Sequence, residues 1–164
     1  NPRLKTIFTY SKSIYENNMQ NKDQYENSYM VRILMWPSIL KDLNINEIFF
    51  GVGIGDTKQR FIETYIKSNI RYAIDEQLNA HNQYIQTLVS IGLIGLGILV
   101  SILGYSFWLA YRKRDMVLFL FLIIISVNFM FESVLERVFG VIFFVFFLLF
   151  LSSKSEPKTD AIDF

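Results

Sequence analysis

Two hydrophobic patterns divide the chain near residue 80. Before it, apolar side chains recur at helical spacing among polar ones; after it, they run almost without interruption. Met30, Ile33, Leu34, Leu40 and Leu43 stand at helical intervals, which predicts an amphipathic helix with Asn27 or Ser28 as its cap. Pro37 should kink or divide that helix, because its ring removes an amide donor. A second amphipathic helix is predicted after Asp56, with Phe61, Ile62, Tyr65 and Ile66 as its apolar stripe. The continuous runs cover about Tyr84–Tyr111, Met116–Phe131 and Val134–Leu151. As helices they measure roughly 40, 24 and 27 Å, against a bilayer core of about 30 Å. Ser133 and Glu136 have the S-x-x-E spacing of a capping box, so Ser133 is the expected N-cap of the third run. The second and third runs then form a tight hairpin with Glu132 at its tip. Gly97 and Ser101, four apart on the first run, suggest close helix packing.

The fold class that follows is all-α: a polytopic membrane helix bundle of three transmembrane helices under a large extracytoplasmic loop of short amphipathic helices. Residues 1–80 form that loop, 81–151 the spans, and 152–164 a polar tail expected to be disordered. Composition supports the division. The chain is 52% hydrophobic with a formal net charge of +1, yet almost all the charge lies in residues 1–80, in Arg112–Asp115 and after Ser152. One soluble domain does not distribute charge this way. Without a Lys/Arg stripe among aromatics, a nucleic-acid partner is not expected. Arg112-Lys113-Arg114, between the first two runs, assigns that short loop to the cytoplasm, with Tyr105, Trp108 and Tyr111 as its aromatic belt. By alternation, residues 1–80 and the Glu132 turn face the periplasm. The chain has no cysteine, which excludes disulfides and thiolate metal sites within it. It opens without Met or a signal-peptide pattern and reads as a C-terminal piece of a longer protein.

Candidate chemistry gathers at the periplasmic lip. The only histidine, His81, opens the first span beside Asn79 and Asn82. Taken alone, an imidazole there is more often an interface residue than a catalyst. Arg32 and Trp36, four apart, share a helix face, where a cation–π contact would fit. The stretch IFFGVGIGD fails the dinucleotide pattern, because Asp56 stands where a third glycine belongs. It reads as a turn between helices, or as a nest of amides around Gly53 able to bind an anion. Arg137, beside Glu132 and Glu136, is an ionisable group at membrane depth, either functional or a snorkelling side chain. Asp75-Glu76 reads as a solvated loop; no metal site is expected.

In order, these features are R-x-x-x-W at Arg32 and Trp36, G-V-G-x-G at Gly51–Gly55 and A-H-N-x-Y at Ala80–Tyr84. A glycine-rich span, E-x-x-x-E-R-x-x-G at Glu132–Gly140 and a phenylalanine-rich last span follow. The set resembles the C-terminal half of the O-antigen ligase and polymerase superfamily over about Asn27–Phe150. Pro37 directly after Trp36 departs from the pattern.

The resemblance implies a GT-C-like membrane glycosyltransferase of the bacterial inner membrane. Its donor would be an undecaprenyl-pyrophosphate-linked glycan, and its acceptor lipid A–core or, in a polymerase, another lipid-linked glycan. It implies no cofactor and no metal. The family's functional arginine and histidine match Arg32 and His81; its further arginines lie upstream and have no counterpart here. Arg32 would hold the departing pyrophosphate, since a guanidinium stays charged and matches phosphate geometry. His81 would take the acceptor's proton in a single inverting displacement, an imidazole's ordinary pKa lying near 6.5. Asn82, Tyr84, Trp36, Arg137, Glu132 and Gly53 are the candidate substrate-binding residues. Two other classes fit the same chain: a non-catalytic membrane scaffold, and a transporter of lipid-linked sugar, although the first two spans lack mid-span charge.

Overall fold

The structure, a computed structural model, describes residues 28–154, and all regular secondary structure among them is helical. Four short helices come first: α1 (Ser28–Asp42), α2 (Ile45–Phe50), α3 (Thr57–Lys67) and α4 (Arg71–Asp75). Three apolar helices follow: α5 (Gln83–Lys113), α6 (Met116–Phe131) and α7 (Val138–Lys154). The Asn27 cap, the Met30 side chain and residues 155–164 of the tail lie outside what is described.

The helices make two layers with separate cores. In the bundle, Leu99, Leu103 and Ala110 of α5 pack against Leu118, Leu122, Ile125 and Phe129 of α6 and Phe144 of α7. The opposite faces, including Ile98, Ile124, Phe139 and Ile142, are exposed. Water would make such faces costly; hydrocarbon does not. Among the described residues, only α5 is long and apolar enough to cross a bilayer by itself, and α6 and α7 are shorter apolar helices. At the basic end Asp115 caps α6, accepting from the amides of Val117 and Leu118 at 2.9 and 3.0 Å. Trp108 stacks on Tyr105 there and lies 5.2 Å under the Arg112 guanidinium.

In the outer layer, Val31, Met35 and Ile39 of α1 close over Phe61 and Tyr65 of α3, Ala73 of α4 and Val89 of α5. This departs from the predicted stripes. Ile33, Leu40 and Ile66 are exposed, whereas Thr57 and Thr64 are buried. On α1 apolar residues surround the helix, so the neighbouring helices, not periodicity, choose the inward face. On α3 the threonines go inward because partners await them. Thr57 Oγ1 donates to the Gly53 carbonyl at 2.7 Å, and Thr64 Oγ1 to Asp42 at 2.9 Å. Pro37 does not divide α1, because Met35 and Ile39 on either side of it hold one packed face.

Arg60 fixes the top of this layer. It pairs with the Asp42 carboxylate, donates to the Asp42 carbonyl at 2.5 Å and reaches both oxygens of Glu47 at 3.0 Å. For Asp42, burial works to raise the pKa. The hydrogen bonds from Arg60, Lys67 and Thr64 outweigh it and bring the carboxyl down to about 2. Glu47 is also lowered, chiefly by its hydrogen bond from Arg60.

The bundle and outer layer meet at a break in α5. Gly92 has φ 73° and ψ −166°, far from helical, so the carbonyls just before it lose their helical donors. The turn after α2 replaces them. The Val52 amide donates to Val89 O at 2.8 Å, and the Gly53 amide to Ser90 O at 3.0 Å. The backbones touch so closely that a Cβ on Gly92 would stand 2.3 Å from the Phe49 carbonyl oxygen, and one on Gly51 2.5 Å from Ser90. The break also changes direction. Tyr84 meets Phe129 while Phe107 meets Phe119. Along the axes that sets roughly 35 Å of α5 against about 15 Å of α6. The first segment, Gln83–Ile91, therefore turns across the end of the bundle instead of extending it.

The hairpin at that end differs from expectation. Ser133 makes no side-chain cap; Val134–Glu136 is a 3-10 turn, and α7 starts only at Val138. The Ser133 hydroxyl is taken by the Asn82 amide at 3.3 Å and the Glu136 carboxylate by Gln86 at 2.6 Å, which removes both halves of the capping box.

Gly92→Ala should cost at least the 1–3 kcal/mol of a strained backbone, with the clash in addition. Gly97→Ala, which meets nothing within 4 Å, should be neutral in the same thermal unfolding scan. The pH dependence has a definite sign. Asp42 and Glu47 have lowered folded values, so their stabilisation is present above the ordinary carboxylate range and is lost on acidification, for Asp42 as pH falls through about 2. In a Trp108→Phe background, Trp36 fluorescence should report outer-layer loosening below pH 4. Asp42→Asn should be less stable at pH 7 and show a shallower acid decline.

Candidate functional site

The site forms where α1, the loop before α5 and the end of α6 converge. Glu132 is its hub. One carboxylate oxygen lies 3.2 Å from the Arg32 guanidinium and the other 3.3 Å from His81 Nδ1. Arg32 also donates to the Phe131 carbonyl at 2.9 Å, which fixes it against the end of α6. Exposure is graded: the Arg32 side chain is 14% exposed, His81 26% and Glu132 54%. An ionised carboxylate only accepts, so a neutral imidazole in this contact donates through Nδ1 and leaves the Nε2 lone pair open.

His81 sits in a strained loop that three elements hold. Its φ of 45° is left-handed, which costs a non-glycine residue on the order of 1–3 kcal/mol. The cost is offset by fixing the backbone on both sides. Trp36 Nε1 donates to the Ala80 carbonyl at 2.8 Å, and the Ala80 amide donates to Gln86 at 3.3 Å. The His81 amide donates to Asn79 Oδ1 at 3.0 Å. Asn82 then caps α5: its Oδ1 accepts from the Ile85 amide at 3.0 Å while its Nδ2 donates to Met130 O at 3.1 Å. One asparagine thus starts the span and ties it to α6.

Of the residues singled out from sequence, the structure brings Arg32, His81 and Glu132 into direct contact, with Trp36 and Asn82 behind them. The Trp36 indole reaches the Ala80 carbonyl while Arg32 turns to Glu132, so the two serve different partners. Tyr84 points into the bundle, its hydroxyl donating to Ser126 O at 3.2 Å. The Gly53 amide is engaged at the α5 break. Arg137 is exposed beyond the 3-10 turn and makes no ion pair among the described residues. Gln83 and Gln86 are the residues that sequence reading missed. Both are buried, and they hold the hairpin: the Leu135 amide donates to Gln83 at 2.7 Å, and Gln86 donates to Glu136. Their signal was present. Asn79, Asn82, Gln83, Gln86 and Ser90 recur at three and four, a polar stripe opening an otherwise apolar helix. No group of three or more His, Asp or Glu able to hold a metal ion occurs among the described residues.

A family model described as O-antigen ligase matches residues 4–100. The chain belongs to the O-antigen ligase family. O-antigen ligases are integral membrane proteins, and the family is associated with glycosyl transfer of the ligase or polymerase type. The match includes Arg32, Trp36, the glycine turn and His81, and stops within α5. Glu132 comes from the part beyond it, so the ligase-like half of the site is completed by the last hairpin. No curated protein and no solved structure matches the chain.

Asn82→Ala should remove an N-cap, about 1 kcal/mol, together with the link to α6. Asn82→Asp, which keeps the cap oxygen but loses the donor to Met130, should fall between it and wild type. Thermal unfolding in detergent orders the three.

Proposed function

We propose that the chain forms the reaction centre of an envelope glycosyltransferase that moves a glycan from undecaprenyl pyrophosphate to lipid A–core. It would do so at the periplasmic face of the inner membrane. The observation that carries this reading is the Arg32–Glu132–His81 contact at the end of the bundle, two of whose members, Arg32 and His81, lie within the ligase family match.

In this reading Glu132 orients rather than binds substrate. It holds the imidazole through Nδ1 and leaves Nε2 to take the acceptor proton. The acceptor oxygen bonds to the anomeric carbon as the bond from that carbon to the phosphate oxygen breaks. The electron pair leaves on the pyrophosphate, and the hydroxyl proton goes to His81. The displacement inverts the anomeric centre. Arg32 meets the departing charge; a phosphate oxygen takes the place that one Glu132 oxygen occupies, with better geometric match to a guanidinium. Arg137, exposed five residues beyond Glu132, supplies a second positive group for the pyrophosphate. Trp36 and Asn82 position the His81 loop, while Tyr84 and Gly53 serve packing. The graded exposure supports the division of labour, with the two reacting side chains partly shielded and the carboxylate open to an incoming anion.

The test is the envelope glycan ladder of a strain lacking the parent gene, complemented with variants of the full-length protein. His81→Ala should lose about 10²–10⁴-fold in transfer, and Arg32→Ala a comparable amount, at unchanged membrane levels. Glu132→Gln, which keeps the shape and removes the charge, should lose less than either. Glycan accumulating on the carrier with bare lipid A–core supports the ligase; core capped by a single repeat makes the protein a polymerase. A normal ladder from both alanine variants removes the catalytic assignment and leaves a scaffold.

A further inference from the structure

The stretch that answers the α5 break carries a second feature that the site does not use. Four large apolar side chains within ten residues are exposed: Ile45 (65%), Phe49, Phe50 (69%) and Ile54 (74%). Two polar groups at this segment are engaged within the protein, while Asn46 and Asp56 are exposed. Glu47 faces Arg60, and Asn44 closes the start of α2 in a reciprocal capping box with Glu47. No lysine or arginine occurs between Ile45 and Thr57. The exposed surface of α2 and its turn is thus mostly apolar and carries no positive charge, and the patch is larger than scattered surface residues.

Its height relative to the bundle can be counted in two ways. A bilayer core of about 30 Å is roughly 20 helical residues. Counted back from Tyr111 in the aromatic, basic end of α5, that distance reaches Ile91, beside the break. Alternatively, Phe107 stands level with Phe119, and α6 continues from there to Phe131. That is about 18 Å, while Leu93 lies about 21 Å from Phe107 along the second segment of α5. Both counts put the Gly92 break at the hydrocarbon boundary. The turn from Phe49 to Gly53 is in backbone contact with that break and so lies at the same height. Ile91, Ile94 and Ile98 of α5, beside and beyond the break, are exposed as well.

We propose that α2 and the turn after it form an interfacial wedge, with Phe49, Phe50 and Ile54 embedded among the acyl chains of the leaflet at the Gly92 end. Exposed aromatic and aliphatic side chains of interfacial segments sit in this boundary several ångströms deep. The wedge sets the height of the outer layer. Through the Val52 and Gly53 bonds it holds α5, and through α5 the His81 loop, at the level of lipid phosphates. The inference rests on the family's membrane placement and not on the reaction.

Because the chain has no cysteine, single spin labels can be placed at will. Phe50→Cys and Ile54→Cys in the full-length protein, with any cysteine elsewhere replaced, would be labelled in phosphatidylethanolamine/phosphatidylglycerol nanodiscs. Collision with oxygen is then compared with collision with a water-soluble nickel chelate. Ile124→Cys, exposed in mid-α6, serves as the hydrocarbon reference, and Lys58→Cys as the aqueous one. Both wedge labels should favour oxygen over nickel several-fold, nearer to position 124 than to 58. Nickel preference at 50 and 54 would overturn the wedge and put the patch in water. Low access to both probes would overturn it in favour of a protein partner, either another span or a second copy. If position 124 itself favours nickel, the bilayer placement beneath the inference is wrong, which the other outcomes leave intact.

Discussion

A backbone carbonyl in apolar surroundings must find a donor, and the break at Gly92 leaves two of them in need within one turn. Everything outside the bundle is arranged around that requirement. The donors are amides of a loop, so among substitutions at Val52 or Gly53 only proline removes one, and the loop reaches the carbonyls because Gly51 and Gly92 carry no Cβ. Once the turn is docked, α2 is held against α5, Arg60 joins α2 to the end of α1 and to α3, and α1 places Arg32 above the end of α6. The glycine that weakens the membrane helix is thus the point that organises the layer over it. A straight helix would carry Asn82 roughly 15 Å beyond the break along the axis. Bent, it lays the same residues across the bundle end, within reach of Met130 and Ser133.

The site has a different logic. Its three charged or titratable side chains come from separate elements, and none is held by its own helix alone. Arg32 is fixed by a carbonyl at the end of α6, His81 by a loop under hydrogen-bonded restraint on both flanks, and Glu132 by its position where α6 stops. The carboxylate compensates the guanidinium when no anion is present and restrains the imidazole at all times. Because it is the most exposed of the three, it can give up one contact without being dragged from a buried position. For the proposed transfer reaction, preorganisation of this kind would lower the cost of ordering the groups when substrate arrives.

How much of this the sequence disclosed depends on which kind of force decided each feature. The second apolar run was legible to the residue, because a continuous hydrophobic segment between Asp115 and Glu132 has only one pair of ends. The pairing of candidates was partly legible: Arg32, His81 and Glu132 were all singled out, but the carboxylate as the link between the other two was not, since it depends on a bend no pattern announces. Ser133 and Glu136 matched a local capping rule and obeyed a tertiary one, because Asn82 and Gln86 were closer partners than the helix they were expected to cap. The buried stripe of α1 slipped to Val31, Met35 and Ile39 for a similar reason: where apolar residues surround a helix, the neighbours choose its face. The glycine stretch was read as a turn between helices, which it is, and its alternative use as an anion nest competes with carbonyls already occupying the Val52 and Gly53 amides.

The contacts of Glu132 also have a bearing on how the protein is made. They join positions 51 and 100 residues apart, the second of them spanning nearly all of the described chain. Synthesis delivers the outer layer and the first span well before the final hairpin, and the outer core needs nothing from that hairpin to close. Arg32 and His81 therefore spend part of every biosynthesis without the group that joins them. Under the proposed function, competence would arrive with the last two helices, and a chain caught before they are made would hold a folded exterior without the Arg32–Glu132–His81 contact.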